Sequence, residues 1–273
     1  MKTNQSTVKT DKRILLLCVC SFWMTTTQAA EKEIDPSDPT KIYSYAGVGV
    51  KHTDYTNDET MTELRATGNL GLSDNDMVMF ELGYGWHSGD RVPGDNSGLT
   101  NARVRWFHLF KMEQKAFGYR GMGTQVDVQI AGSLKGTDGQ NVISLGGIAA
   151  YGLGEEWSAY LSANLVNSWD KSFDHYNGMG VSVAPLFVYT PPNWWNGAYV
   201  QIWPNWTHFF SGTLDGEGSF NIDLTTGGPI TKTIMWTVTY QSNHNLDLTT
   251  FRRGVDTGLK NDWNVFFNVT SYF

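Results

Sequence analysis

The chain has 273 residues, of which 40% are apolar, 17% charged and 14% aromatic. Soluble domains carry about 25% charged residues, so this sequence is poor in charge and rich in aromatic side chains. Such aromatic density excludes intrinsic disorder, because these side chains would drive collapse. The sequence has no run of about 18 apolar residues, which excludes a membrane protein built from helices. The length allows one large all-β domain or two smaller domains.

The first 29 residues have the pattern of a secretory signal peptide. Basic residues precede the apolar stretch 14–23, which is too short to cross a bilayer. Thr27 and Ala29 then occupy the −3 and −1 positions of a cleavage site. We therefore expect residues 1–29 to be removed and residues 30–273 to form a single domain.

Removal of this peptide changes the chemistry that is available to the chain. It takes away Cys18 and Cys20, the only two cysteines, and with them disulfides, thiolate catalysis and cysteine-bound metals. It also takes four basic residues and one acidic residue, which leaves 16 basic against 26 acidic residues, a net charge of −10. Nucleic-acid-binding proteins show a basic patch or stripe instead, so we expect no nucleic-acid partner. An exported, acidic, aromatic-rich chain indicates a bacterial envelope protein.

Alternation with a period of two residues dominates residues 30–273, as in strands with one apolar and one polar face. In residues 77–87, for example, Val78, Phe80 and Leu82 occupy alternate positions. Pro204 interrupts the ninth candidate strand, where it would remove a ladder hydrogen bond. The candidate strands are 42–55, 61–72, 77–87, 100–111, 121–134, 141–153, 157–167, 178–189, 197–210, 219–226, 233–242 and 263–273.

The predicted connections differ in length at the two ends of these strands. Those after strands 2, 6 and 10 are short, the last being the glycine-glycine-proline stretch 227–229, whereas those after strands 3, 7 and 11 are long. Connections 56–60 and 111–120 depart from this pattern. Short periplasmic turns and long extracellular loops are typical of transmembrane β-barrels.

A soluble β-sandwich also buries every second residue, so alternation by itself leaves two folds open. Here one face of nearly every strand is bulky and apolar and the other small and polar, which favours a lipid-facing belt around a hydrated interior. Aromatic residues near strand ends suggest an interfacial girdle: Tyr43, Tyr45, Trp86, Trp157, Tyr189, Trp194, Trp195, Trp263 and Tyr272. These features favour the membrane barrel over the sandwich.

The last predicted strand ends on Phe273, with Val265, Phe267 and Val269 at alternate positions. This pattern resembles the C-terminal assembly signal of Gram-negative outer-membrane β-barrels, although Ser271 takes a position that is usually apolar. Together with the leader and the alternating segments, the resemblance extends over the whole chain, without a motif of a specific family. It implies an all-β fold, an antiparallel up-and-down transmembrane β-barrel of about twelve strands, within a range of about ten to fourteen. It also implies the cell outer membrane, contact with its lipid and lipopolysaccharide, and recognition by the barrel-assembly machinery.

If the bulky side chains face lipid, the opposite face of strands 2 to 5 points into the barrel. It then brings three carboxylates and three guanidinium groups into the lumen: Glu63, Arg65, Glu81, Arg103, Arg105 and Asp127. One interpretation is a constriction that orders a polar solute, since arginine binds carboxylate and phosphate groups. The other is a set of cross-strand ion pairs that fills and stiffens a narrow lumen. The sequence leaves both open.

We expect a porin-like outer-membrane channel for passive diffusion of small hydrophilic solutes, anionic solutes among them, with no catalytic residue, cofactor or metal site. One alternative is a closed barrel whose extracellular loops bind a partner. Another is an outer-membrane acyl hydrolase. The spacing disfavours it, because His87 and Ser88 are adjacent, and Tyr240 rather than histidine lies two residues before Ser242.

Overall fold

The computed structural model describes residues 34–55, 60–88, 96–134, 140–192, 194, 197–244 and 261–273, and Ile34–Tyr272 form one compact unit. Within these residues, twelve strands form a closed antiparallel barrel in which each strand pairs with its neighbours in the chain and β1 pairs with β12. The strands are β1 (Tyr45–Tyr55), β2 (Thr60–Gly71), β3 (Asp76–His87), β4 (Ser97–Leu109), β5 (Phe117–Ala131), β6 (Asn141–Leu153), β7 (Trp157–Trp169), β8 (Tyr176–Tyr189), β9 (Tyr199–Phe209), β10 (Gly218–Pro229), β11 (Ile234–His244) and β12 (Asn261–Tyr272). Among the described residues, no helix is long and apolar enough to span a membrane.

The predicted all-β, up-and-down antiparallel barrel is therefore confirmed, and each predicted segment overlaps one observed strand. Closure leaves no free sheet edge, which is what a sheet needs inside hydrocarbon, where each unpaired backbone group costs several kcal/mol. The predicted leader, residues 1–29, lies outside the described residues.

Bulky apolar side chains cover the outer surface of the barrel. Val48 is 61% exposed, Leu64 53% and Val104 50%, and each is directed outward from the middle of its strand. An exposed apolar surface that surrounds the molecule is stable against lipid rather than water. The chain is thus a transmembrane barrel, as the alternation predicted.

The predicted aromatic girdle is only partly right. Trp157 and Tyr189 stack on the outer face at 4.7 Å between ring centroids, as a girdle requires. Tyr45 and Tyr272, however, are partners in register and line the interior, together with Tyr43. A position near a strand end does not show whether a side chain points inward or outward. That depends on whether the residue falls on the inward or the outward set of alternate positions. Trp195 lies outside the described residues.

Several predicted strand boundaries differ from the observed ones by three or four residues, and the contacts explain two of these differences. The stretch 227–229, predicted as a turn, belongs to β10, and the turn follows at 230–233. A Cβ at Gly227 would lie 2.9 Å from the hydroxyl of Tyr199, so glycine here allows close packing within the strand. β1 begins at Tyr45 rather than at residue 42, because Tyr43 turns inward and its carbonyl accepts a hydrogen bond from Asn69 Nδ2 at 2.6 Å.

The connections 72–75, 110–116, 154–156, 190–198 and 230–233 define one end of the barrel, which we call the turn end. In outer-membrane barrels this end faces the periplasm.

The ladder between β8 and β9 is interrupted in its middle. Pairing stops after Val183 and Trp206 and resumes at Phe187 and Ile202. Counting from either side brings Pro185 opposite Pro204, and proline has no N–H to donate. Two ladder hydrogen bonds are therefore missing from the wall here. The sequence predicted the loss at position 204 but not the partner at 185.

Candidate functional site

The barrel encloses a cavity of about 460 Å³, lined by residues from each of the strands β1 to β12. Charged side chains form part of its wall: Lys51, Arg65, Glu81, Arg103, Arg105 and Asp223. They lie near the middle of their strands, so the charged region is at mid-depth in the barrel. Alternation puts these side chains inside because their neighbours on both sides in sequence face lipid.

Four of the six predicted lumenal residues form one ion-pair network. Arg65 donates from Nε to Glu63 Oε1 at 2.5 Å, and its Nη1 lies 3.4 Å from Glu81 Oε2. Arg105 Nη2 contacts the other oxygen of Glu81 at 2.9 Å. Glu81 therefore connects two arginines across β2, β3 and β4.

The remaining two predicted residues form a separate ion pair. Arg103 binds Asp127 through two of its nitrogens, with Nε–Oδ1 at 2.9 Å and Nη2–Oδ2 at 2.5 Å. The residues that lie directly opposite in the ladders are Glu81 and Arg103, and Arg105 and Asp127. Both observed contacts are instead diagonal, Arg105 with Glu81 and Arg103 with Asp127. Long side chains reach diagonal partners across adjacent strands.

Glu63 is the most buried member, with 1% of its side chain exposed. It lies over Gly83 of β3, where a Cβ would be 2.7 Å from Glu63 Oε1. Glycine at position 83 thus leaves the space that the carboxylate occupies. Arg65, Glu81, Arg103 and Arg105 line the cavity, while Glu63 and Asp127 hold two of these arginines in place.

Sequence analysis missed several residues of the same wall. Lys51 of β1 faces the cavity and makes no ion pair with any described residue. Phe266 of β12 packs over Gly49, where a Cβ would be 2.5 Å from the ring, and the Arg65 guanidinium lies 5.4 Å from the ring centroid. This distance is typical of a cation–π contact. The alternation of inward and outward side chains along β1 and β12 would have identified both as interior residues.

A chain of hydrogen bonds continues this wall across β10 to β12. Asn264 Nδ2 donates to Gln241 Oε1 at 2.6 Å, and Gln241 Nε2 donates to Asp223 Oδ1 at 2.7 Å. The amides hold the carboxylate of Asp223 without neutralising it. Among the described residues of this belt, four cations therefore face four carboxylates: Lys51, Arg65, Arg103 and Arg105 against Glu63, Glu81, Asp127 and Asp223.

Among the described residues of β6 to β9 that line the cavity, none is charged. Gln125 donates to Asn164, which donates in turn to Ser182 at 3.2 Å. Closer to the turn end, Tyr160 and Leu186 pack with Trp203 and face the same cavity. The lumen thus has one charged side and one neutral side.

Residues 34–44, which we call the strap, precede β1 and line the cavity at its turn end.

The predicted histidine and serine candidates do not meet. Ser88 Oγ lies 2.6 Å from Thr60 Oγ1, and His87 is buried with its ring 5.9 Å from that of Tyr55. The described residues hold no group of three or more histidine, cysteine, aspartate or glutamate side chains that could bind a metal.

Comparison with known proteins shows which solved structures share this fold. No family model and no curated protein matches the chain. An outer membrane channel from Pseudomonas putida F1 is 15% identical, with 90% of this chain and 100% of that chain covered and a TM-score of 0.56. The NanC porin is 8% identical over 83% and 99%, with a TM-score of 0.54. Outer membrane phospholipase A from Escherichia coli is 11% identical over 89% and 94%, with a TM-score of 0.50.

At these identities the comparisons establish the fold. The closed wall and the apolar outer surface make the chain a transmembrane β-barrel, and its fold is the one seen in outer-membrane channels and porins. The predicted location, the cell outer membrane, is thereby confirmed.

Proposed function

We propose that this chain is a passive channel through which small hydrophilic solutes cross the outer membrane. The observation that carries the proposal is the cavity of about 460 Å³ at the centre of the barrel, surrounded by charged and amide side chains. A lumen that served only to stiffen the wall would be filled by its own side chains. Two of the structures with the same fold are described as a channel and a porin, which supports this function.

The charges of the wall support a solute class. Because cations and carboxylates balance, we expect weak discrimination between potassium and chloride. Carboxylate or phosphate groups would find Lys51, which has no ion-pair partner among the described residues, and the guanidinium edges of Arg103 and Arg105. Guanidinium groups bind such anions through paired N–H donors. Small anionic solutes are therefore our preferred candidates.

Reversal potentials in a salt gradient across a planar bilayer test this role. Lys51→Glu changes the charge of the wall by two units, so the channel should become selective for cations. Lys232→Glu makes the same change in the exposed turn 230–233, and we expect no shift in reversal potential. Arg103→Ala and Arg105→Ala should change the size of the discrete conductance.

If the chain is a channel, discrete current should be measured with the intact chain, or with a variant that lacks residues 34–41 of the strap. Silence of both, when each shows the heat-dependent gel shift of a folded barrel, would overturn the channel. That result would favour a closed barrel that acts through its loops.

A further inference from the structure

The strap crosses the interior of the barrel at its turn end. On one side, Asn69 Nδ2 donates to the carbonyl of Tyr43 at 2.6 Å, and the N–H of Gly71 donates to Ser44 Oγ at 3.1 Å. On the other side, Thr190 Oγ1 donates to Ser37 Oγ at 3.3 Å. Asn69 and Gly71 belong to β2, and Thr190 directly follows β8. In the closed order β8 lies six strands from β2 in either direction, so the strap spans the diameter.

Internal contacts make the strap a compact unit. Lys41 Nζ lies 2.7 Å from Asp35 Oδ2, and the backbone N–H of Ser37 donates to Asp35 Oδ1 at 3.1 Å. Asp38 accepts hydrogen bonds from the backbone N–H and the hydroxyl of Thr40 at 2.9 and 2.6 Å. Pairing with Lys41 and Ser37 lowers the pKa of Asp35, although burial alone would raise it. The strap is therefore a folded obstacle and not a loose chain.

The interior position of the strap is shown by burial. Ser37 is 5% exposed and Asp38 is 8% exposed, although both are small polar residues in a segment without regular structure. Residues of the strap line the same cavity as the charged wall. The strap thus forms the floor of the cavity, between the charged side chains at mid-depth and the opening of the barrel at its turn end, the periplasmic mouth.

The two attachments of the strap differ in strength. At the β2 side the strap is continuous with β1 and is held by the short bond to Tyr43. At the β8 side the contacts of Ser37 are neutral and long: Thr190 to Ser37 at 3.3 Å, and Gln201 Nε2 to the Ser37 carbonyl at 3.5 Å. Asp38 accepts a further long hydrogen bond, at 3.5 Å, from Gln114 Nε2 on the connection between β4 and β5. Hydrogen bonds at this distance are weak. Movement would therefore begin at the β8 side and turn about residues 43–44.

We propose that the strap is a gate at the periplasmic mouth, closed while Ser37 is attached beside β8 and opened when that attachment breaks. The proposal rests on the proposed channel function. It assigns the charged belt to solute contact and the strap to control of passage.

A reversible cross-link tests the gate. The hydroxyls of Ser37 and Thr190 lie 3.3 Å apart, so Ser37→Cys with Thr190→Cys places two thiols within bonding reach. Residues 30–273 contain no cysteine, so this pair would be the only one in the expressed protein. Oxidation joins the thiols in a disulfide and fixes the strap. A thiol reductant then breaks the bond.

We expect single-channel conductance or open time to rise at least threefold on reduction and to fall again on reoxidation. Thr60→Cys with Ser88→Cys is the matched control, since these hydroxyls lie 2.6 Å apart at the end of the barrel opposite to the strap. Its redox state should leave the current unchanged. Deletion of residues 34–41 should give the high conductance in both redox states.

The outcomes separate the two proposals. Current that is equal in the oxidised pair, the reduced pair and the deletion variant overturns the gate and leaves the channel standing. Silence of both the reduced pair and the folded deletion variant overturns the channel, and the gate with it.

Discussion

Glu63→Gln should destabilise the barrel, because it removes one of the two carboxylates that Arg65 contacts. The Glu63 side chain is 1% exposed and that of Arg65 is 16% exposed, so water screens this pair only weakly. Breaking a buried ion pair by removing one partner costs about 3–5 kcal/mol. Arg65 retains Glu81 at 3.4 Å, so we expect a loss near the lower limit, about 3 kcal/mol.

Urea unfolding in phospholipid vesicles, followed by tryptophan fluorescence, measures this loss. A double-mutant cycle with Arg65→Met removes the guanidinium but keeps an apolar side chain of similar length. We expect a coupling energy of at least about 1 kcal/mol, since the two side chains are in contact. The exposed pair Glu113 and Lys115 on connection 110–116 serves as the control and should show no measurable coupling. Equal coupling in the two cycles would refute the inference that the lumenal network stabilises the wall.

Three further predictions concern the wall and the strap. Pro204→Val and Pro185→Val should each return one ladder hydrogen bond, so the new amide should resist hydrogen exchange as its neighbours do, which mass spectrometry can measure. Gly68→Ala should cost about 1–3 kcal/mol, because a Cβ there would lie 2.1 Å from the ring of Phe80. Adding Phe80→Leu should recover most of this loss in the same urea assay. The folded pKa of Asp35 lies below its unfolded value, so its ion pair stabilises the strap above about pH 4 and is lost as the pH falls through the folded pKa. Conductance should therefore rise in acid, whereas Asp35→Asn should give the higher conductance at neutral pH and no further rise.

Which side chains of a strand face lipid and which face the lumen could be predicted from sequence, because successive side chains in a strand point to opposite faces. In β3, Phe80 and Leu82 face lipid while Glu81 faces the cavity, and this alternation needs no knowledge of the partner strand. The same rule brought Glu63 and Asp127 to the interior side. Alternation also puts Tyr45 on the inward side, so its assignment to the outer aromatic girdle, which followed only from its residue type, was wrong.

Which side chains pair inside the barrel could not be predicted from sequence. Register puts Glu81 opposite Arg103 and Arg105 opposite Asp127, yet both ion pairs connect diagonal positions. The choice between direct and diagonal partners depends on strand tilt and on side-chain length, which a single strand does not encode. The strap was missed for a similar reason, because Ser37 meets Thr190 across 153 residues of sequence.

The sequence left two interpretations of the lumenal charges open, a constriction that orders a solute and a set of ion pairs that stiffens the wall. In the structure the two are combined. Asp127 fixes the guanidinium of Arg103 through two hydrogen bonds, and Glu63 fixes that of Arg65, so these carboxylates stiffen the wall. The guanidinium groups that they hold still line the cavity, but each carries its charge beside a counter-charge. Lys51 differs, because no described residue neutralises it by an ion pair. Loss of an arginine should therefore change pore shape and stability more than charge selectivity, whereas loss of Lys51 should change selectivity and leave the wall intact.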